Sequence, residues 1–164
     1  MIKAVHLDDR LIHGQVAISW TRSLGADVLL VINDEIVNNP TRKNALKLGV
    51  PAGVKYGFRS VKDGIDFLNG PDSQKYKIMA LINNPIDAMK VCLGVKGISR
   101  LTIGGVRKNA QYIMDNLNLD ADDIDALNKV MNAGIKVGVL PTPADKFRDL
   151  EPLIGKTSKG DRKL

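Results

Sequence analysis

Short apolar runs rich in β-branched residues alternate along this chain with longer segments in which apolar positions recur every three to four residues. Such alternation between a period of two and a period of 3.6 predicts βα units, and hence a mostly parallel sheet covered by helices. Strands are expected over 2–7, 26–32, 54–58, 77–82, 100–103 and 135–140; the second, ADVLLVI, is apolar almost throughout, as a doubly covered strand requires. Helices are expected between them, with local signals at their ends. One runs over 14–24 with Gly25 as its stop, and the next follows Asn39-Pro40 and ends at Gly49. A third is capped by Ser60, with Asp63 three residues on, and closes at Gly70. Asn84-Pro85 opens another that reaches about Leu93, and Asp120 with Asp123 opens one that ends at Gly134. The stretch QYIMDNLNL fits helix and strand equally, and PTPADKF turns the chain toward a C-terminal helix. The expected fold is α/β, a single domain over about 1–154 built as an open twisted, mostly parallel sheet with helices on both faces.

Composition narrows the class without naming a function. With 164 residues, 44% apolar and 26% charged, the chain is sized for one core and is neither disordered nor fibrous in character. No apolar stretch approaches the roughly 20 residues that span a bilayer, and MIKAVHLDDR lacks the apolar core of a signal peptide, so a cytosolic protein is expected. Cys92 sits in the apolar pattern AMKVCLG with no second cysteine to bridge to, which reads as an inert core filler. The net charge of +6 raises the question of nucleic acid, but aromatics are only 4% and much of the excess lies in GKTSKGDRKL. Residues 155–164 are therefore expected to be a solvated, frayed basic tail outside the domain. No helix shows a long heptad seam, which leaves a homo-oligomer open.

In open α/β sheets, ligands gather beyond the carboxyl ends of strands, where helix N-termini offer unpaired amides to anions. The loops so placed are 8–13, 33–39, 83–84 and 104–107, and the first is the richest. DDRLIHGQV compresses carboxylates, a guanidinium and an imidazole into the mouth of the first strand, with a helix opening just after His13 at Gly14, Gln15 and Val16. Imidazole serves as nucleophile toward phosphorus, general base or metal ligand. A metal would want more ligands, and the only other histidine, His6, is one strand position removed and expected to point elsewhere. Acyl transfer would want a nucleophile elbow, and no G-x-S-x-G occurs. Phosphoryl transfer asks for a nucleophile, a positive clamp and oriented N–H donors, which His13, Arg10 and the helix start supply together. From spacing alone, His13 as a plain helix cap remains equally open. A nucleotide-binding enzyme is disfavoured because G-x-G-x-x-G and G-x-x-x-x-G-K-[ST] are both absent. A non-catalytic regulatory or nucleic-acid-binding module, favoured by the basic charge, is the other alternative.

DDRLIHGQV with Trp20 shortly after resembles the signature of the mannose/fructose/sorbose-family IIB subunits of bacterial sugar phosphotransferase systems, whose pattern is R-I-D-D-R-L-I-H-G-Q-V with a nearby Trp. The likeness continues through VINDEIVNNPTRKNALKLGVPAGVK, LINNPIDAMKV, LTIGGV, LDADDIDALNKVMNAGIKV and LPTPAD, covering about 1–154. The resemblance implies the same open α/β fold and a phosphotransferase acting on sugar through a phosphohistidine. His13 would accept a phosphoryl group, at Nδ1, from a phosphohistidine on a IIA partner and pass it to a sugar bound by membrane subunits IIC and IID. Arg10 would stabilise the phosphate, Asp8 and Asp9 would match the motif's acid pair with one of them pairing with Arg10, and Gly14 and Gln15 would form the helix start. No metal or other cofactor and no nucleic acid is implied, and the protein would work in the cytoplasm at the inner face of the membrane. Two departures stand out. His6 replaces the motif's leading Arg, putting a weaker, titratable group in place of a fixed positive one. VRKNAQYIMDN replaces a segment that commonly carries Met and G-K-x-Q, so neither Arg107 nor Lys108 is assigned a role.

Overall fold

The computed structural model describes residues 1–155, so the basic tail, apart from Gly155, lies outside the described residues. In chain order the elements are β1 (Ile2–Asp8), α1 (Gly14–Leu24), β2 (Val28–Ile32), α2 (Pro40–Lys47), β3 (Lys55–Arg59), α3 (Val61–Asn69), β4 (Ile78–Ile82), α4 (Pro85–Gly94) and β5 (Arg100–Gly105). They continue with β6 (Gln111–Met114), β7 (Leu117–Leu119), α5 (Ala121–Asn132), β8 (Lys136–Val139), β9 (Arg148–Asp149) and α6 (Glu151–Ile154). Short 3-10 turns at Ile36–Asn38 and Pro71–Lys75 fill two of the connections.

One seven-stranded sheet in the order β3-β2-β4-β1-β5-β8-β9 organises the described residues. Six of its strands are parallel, and β9 alone runs antiparallel, against β8. Every residue of β2 and β4 is buried, because helices cover both sides of the sheet's centre and the strands are apolar on both faces. Two cores result. Val5 and Leu7 pack with Ile103, Leu127 and Val130 on one face, while Ala17 and Trp20 of α1 pack with Leu29, Met79 and Leu81 on the other. The connection that leaves β1 thus climbs to one face and the one that leaves β5 to the other, which opens a crevice between their carboxyl ends.

Helix ends follow their sequence signals. Asn39, Ser60, Asn84 and Asp120 each accept a hydrogen bond from the backbone three residues on, and Gly25 takes a left-handed φ of 63° to end α1. Asp120 and Asp123 complete a reciprocal capping box. The ambiguous stretch after Lys108 is an antiparallel hairpin, β6–β7, whose turn holds Asn116 at φ 64°. Asn tolerates that left-handed conformation, so an Asp-Asn step between two apolar pairs carries a hairpin signal. β9 is only two residues, both charged and exposed, and so presents no period to read. Cys92 is buried against the α3–α5 face, where desolvation pushes its thiol up to about 12, and it is chemically quiet.

The capping box at the start of α5 yields a stability prediction. Asp120→Ala removes the acceptor for the Asp123 amide and should cost about 1 kcal/mol, read as a lower urea midpoint with an unchanged slope. An unchanged midpoint would show that the cap contributes nothing to folding.

Candidate functional site

At the crevice the first strand ends on Asp8, whose side chain is 1% exposed. A buried carboxylate must be satisfied by donors. The Arg10 amide donates to Asp8 Oδ1 at 2.9 Å, and Arg10 Nε and Arg107 Nη1 reach the same oxygen at 3.4 and 3.3 Å. His13 Nε2 lies 3.2 Å from Oδ2. Burial by itself would push the Asp8 carboxyl up, but the Arg10 amide and guanidinium, with charge from His13, more than offset it and hold the group below the ordinary carboxylate range. Asp8 is therefore ionised in the folded protein and forms the hub of the site.

The loop that follows is held from below. Leu11 and Ile12 are buried in the α1-face core, and Leu11 adopts φ 57°, a left-handed conformation that costs a side-chain-bearing residue about 1 kcal/mol. Apolar burial of two large side chains outweighs that cost. The Leu11 amide donates to the Asp8 carbonyl, and the Asp9 amide to the Gly105 carbonyl, each at 3.0 Å. Asp9 turns toward the β5 loop, accepting the Arg107 amide at 2.6 Å and the Arg107 guanidinium. Of the expected acid pair, Asp8 takes Arg10 and Asp9 takes Arg107.

His13 occupies the N-cap position of α1, yet its side chain makes no capping bond. The ring bends back to Asp8 instead, so of the two readings left open for His13 the plain cap is not the one adopted. Its turn away leaves the first amides of α1 without a side-chain acceptor, and Gly14 and Gln15 are exposed there. Unpaired helix N-terminal amides form an anion site. With Nε2 engaged by a carboxylate, the ring presents Nδ1 as its available nitrogen; a carboxylate partner fixes Nε2–H as the donor and leaves the lone pair on Nδ1.

The other polar loops close on themselves. Asn33 and Asn84 donate to the Asn83 side-chain oxygen at 2.9 and 3.0 Å, and Asn33 Oδ1 accepts the Glu35 and Ile36 amides. Their polar atoms shape their own turns and do not join the Asp8 cluster. Arg107 does join it. Sequence reasoning left that residue without a role, because only the pairing of β1 with β5 brings a position 98 residues distant beside Asp9. Lys108 points away, to Asp120 and Asp123 at the start of α5.

His6 corrects an expectation. It does not turn away from the site: strand alternation puts residues 6 and 8 on the same face, the one that α1 covers. His6 is 2% exposed, stacks on Trp20 with ring centroids 4.9 Å apart and meets Thr102 Oγ1 at 2.7 Å. Nor does it stand in as a weak positive charge. Desolvation lowers its pKa to about 4, with Asp8 raising and His13 lowering it, so the ring is neutral near pH 7.

Among the described residues no helix is long and apolar enough to cross a membrane. The sequence matches the family described as PTS system sorbose subfamily IIB component over residues 2–163. The sorbose-specific EIIB component of Lacticaseibacillus casei is 30% identical over 152 residues, covering 92% of this chain and 93% of that protein. The mannose-specific EIIAB component of Escherichia coli strain K12 is 30% identical over 161 residues, covering 97% of this chain and 50% of that protein. The crystal structure of the IIBSor domain of the sorbose permease from Klebsiella pneumoniae superposes with a TM-score of 0.88 at 27% identity, covering 97% of this chain and 99% of that one. Family pattern, sequence likeness and fold agree, and the chain belongs to the sorbose-subfamily IIB components of the sugar phosphotransferase system.

Proposed function

We propose that this chain is a phosphocarrier that accepts a phosphoryl group on His13 Nδ1 from a phosphohistidine of a IIA partner and delivers it to a sugar held by IIC and IID. The observation that carries the reading is the 3.2 Å contact between His13 Nε2 and the buried Asp8 carboxylate. It commits Nε2 to a carboxylate and leaves Nδ1 as nucleophile.

In the transfer, the Nδ1 lone pair forms a bond to phosphorus while the donor's N–P bond breaks and its electron pair returns to the donor imidazole. The His13 ring gains positive charge as the new bond forms, and the Asp8 carboxylate stabilises it, as a carboxylate does behind other catalytic imidazoles. Arg10, with its side chain 47% exposed, is free to swing a guanidinium onto the equatorial oxygens, and the first amides of α1 face the same charge. Arg107 holds Asp8 and Asp9 in place from the β5 side. One phosphoimidazole replaces another, so the step is close to isoenergetic and reversible, and transfer to sugar supplies the downhill drive.

The IIA partnership is supported by the mannose-specific EIIAB relative, whose name joins both components. The net charge of +6 suits a weak, transient encounter with an acidic IIA face, in the cytoplasm beside the membrane subunits that select the sugar.

Incubation with phosphoenolpyruvate carrying labelled phosphate, the general phosphotransferase proteins and IIA should place acid-labile label on the wild-type chain and none on His13→Ala. Label that survives His13→Ala overturns the assignment. Arg10→Ala should slow single-turnover loading by about 10- to 100-fold, the worth of a charge-assisted hydrogen bond, and lower the urea midpoint only modestly, because the residue-10 amide, Arg107 and His13 still hold Asp8. A loading rate equal to wild type would remove Arg10 from the clamp.

A further inference from the structure

Beneath the phosphoryl-accepting ring lies a second imidazole that the mechanism above does not use. His6 Nε2 is buried and has no hydrogen-bond partner. Thr102 Oγ1 has the Val5 carbonyl 3.4 Å away as an acceptor for its own hydrogen, which allows it to accept Nδ1–H of His6 at 2.7 Å. In that tautomer, the one the proposal below assigns to the resting ring, the unpartnered Nε2 carries a bare lone pair. It is aimed over Gly104: a Cβ built there would sit 2.8 Å from His6 Nε2 and 2.4 Å from Asp8 Oδ2. That carboxylate oxygen is the one His13 engages. Only glycine leaves room for the two polar atoms to converge.

A ring lone pair turned toward an ionised carboxylate in a buried place is electrostatically unfavourable, and a proton on the ring relieves it. At rest, desolvation outweighs Asp8's pull and keeps the ring neutral, with His13 adding to the resistance. A phosphoryl group on His13 brings close to two negative charges to the mouth of the same strand and reverses the sign of that last contribution.

We propose that His6 is a positioning residue for the loaded state: it takes one proton from solvent onto Nε2 when His13 receives its phosphoryl group, donates that hydrogen to Asp8 Oδ2, and releases the proton when the group leaves. Asp8 is then fixed from both sides, by His6 and by the His13 ring, and His6 supplies on demand a positive charge that the resembled motif builds in as arginine. This rests on the relay reading for its biological setting. The charge balance is simple: each loading event adds one proton to a lone pair and no other bond changes at His6.

The groups facing His6 limit what else could drive its titration. On β1 there is Asp8; at the start of α1, His13; from α1 the uncharged Trp20 ring; on β5, Thr102 and Gly104; and from β4 the apolar Met79 and Leu81. Arg107 reaches the far oxygen of Asp8, and Arg10 spans both, with Nε 3.4 Å from the far oxygen and Nη2 3.5 Å from the one that faces His6. A void of about 10 Å³ lies between the two imidazoles and is walled otherwise by apolar side chains such as Val16 and by Trp20, so no charged group other than His13 faces His6 across it.

The chain holds only two histidines, so nitrogen spectra of histidine-labelled protein resolve His6 without ambiguity. At pH 6 the free wild type should show His6 as a neutral ring with hydrogen on Nδ1. After His13 is loaded with the small phosphoryl donor phosphoramidate, which needs no partner protein, about half of the His6 rings should be imidazolium at that pH, a rise of about two pH units in the midpoint. An unmoved midpoint overturns the proposal. With phospho-IIA as donor, the loaded fraction of wild type should rise as pH falls from 8 to 5.5. That slope should vanish in His6→Arg, whose charge is fixed, with loading at pH 8 kept at or above wild type, whereas His6→Gln should lose both slope and loading. A His6→Gln profile that matches wild type also overturns it. Loading by phosphoramidate with the midpoint shifted, but none from phospho-IIA, removes the relay reading and leaves His6 its role.

Discussion

A carboxylate taken out of water at the end of a central strand sets the terms for everything around it. Asp8 is inserted where β1 meets the crevice, and its desolvation is tolerable only because an amide, two guanidinium groups and an imidazole converge on it. Those donors are drawn from three places in the chain: the strand's own loop, the start of α1 and the loop after β5. A single buried charge thus registers the parts of the site against one another. Removing any donor leaves the carboxylate underpaired, so the geometry of the site and the stability of this corner of the fold are one property.

What could be read in the sequence follows from how local each signal is. The six parallel strands and the helix caps at Asn39, Ser60, Asn84 and Asp120 were legible because each rests on residues within one turn of one another. Asp8, Arg10 and His13 lie in one six-residue loop, and their convergence needed only the strand to end where it does. Arg107 was not legible, since its place depends on β1 pairing with β5 across almost the whole domain. His6 was legible and was misread: a period of two puts it on the face of Asp8. The hairpin around Asn116 hid in a stretch whose apolar spacing suits either period.

The scaffold and the site make opposite demands on the same residues. Burial on the α1 face pulls Leu11 and Ile12 inward, which twists the loop into a left-handed residue and throws the His13 ring back over the strand end. A helix that starts with its cap turned away is locally under-satisfied. That deficit suits the corner to an anion, because unsatisfied helix N-terminal amides attract negative charge. Strain and unpaired groups are concentrated here while β2 and β4 are sealed on both sides.

Trp20 links this corner to the far edge of the domain, stacking on His6 while its indole N–H donates to the Pro141 carbonyl at 3.1 Å. It is also the chain's single tryptophan. Indole emission is sensitive to a neighbouring imidazolium and to the hydrogen bond at its nitrogen, so the protein carries a native fluorophore at the base of its own site. Changes of charge there are readable as light, without a dye or a label.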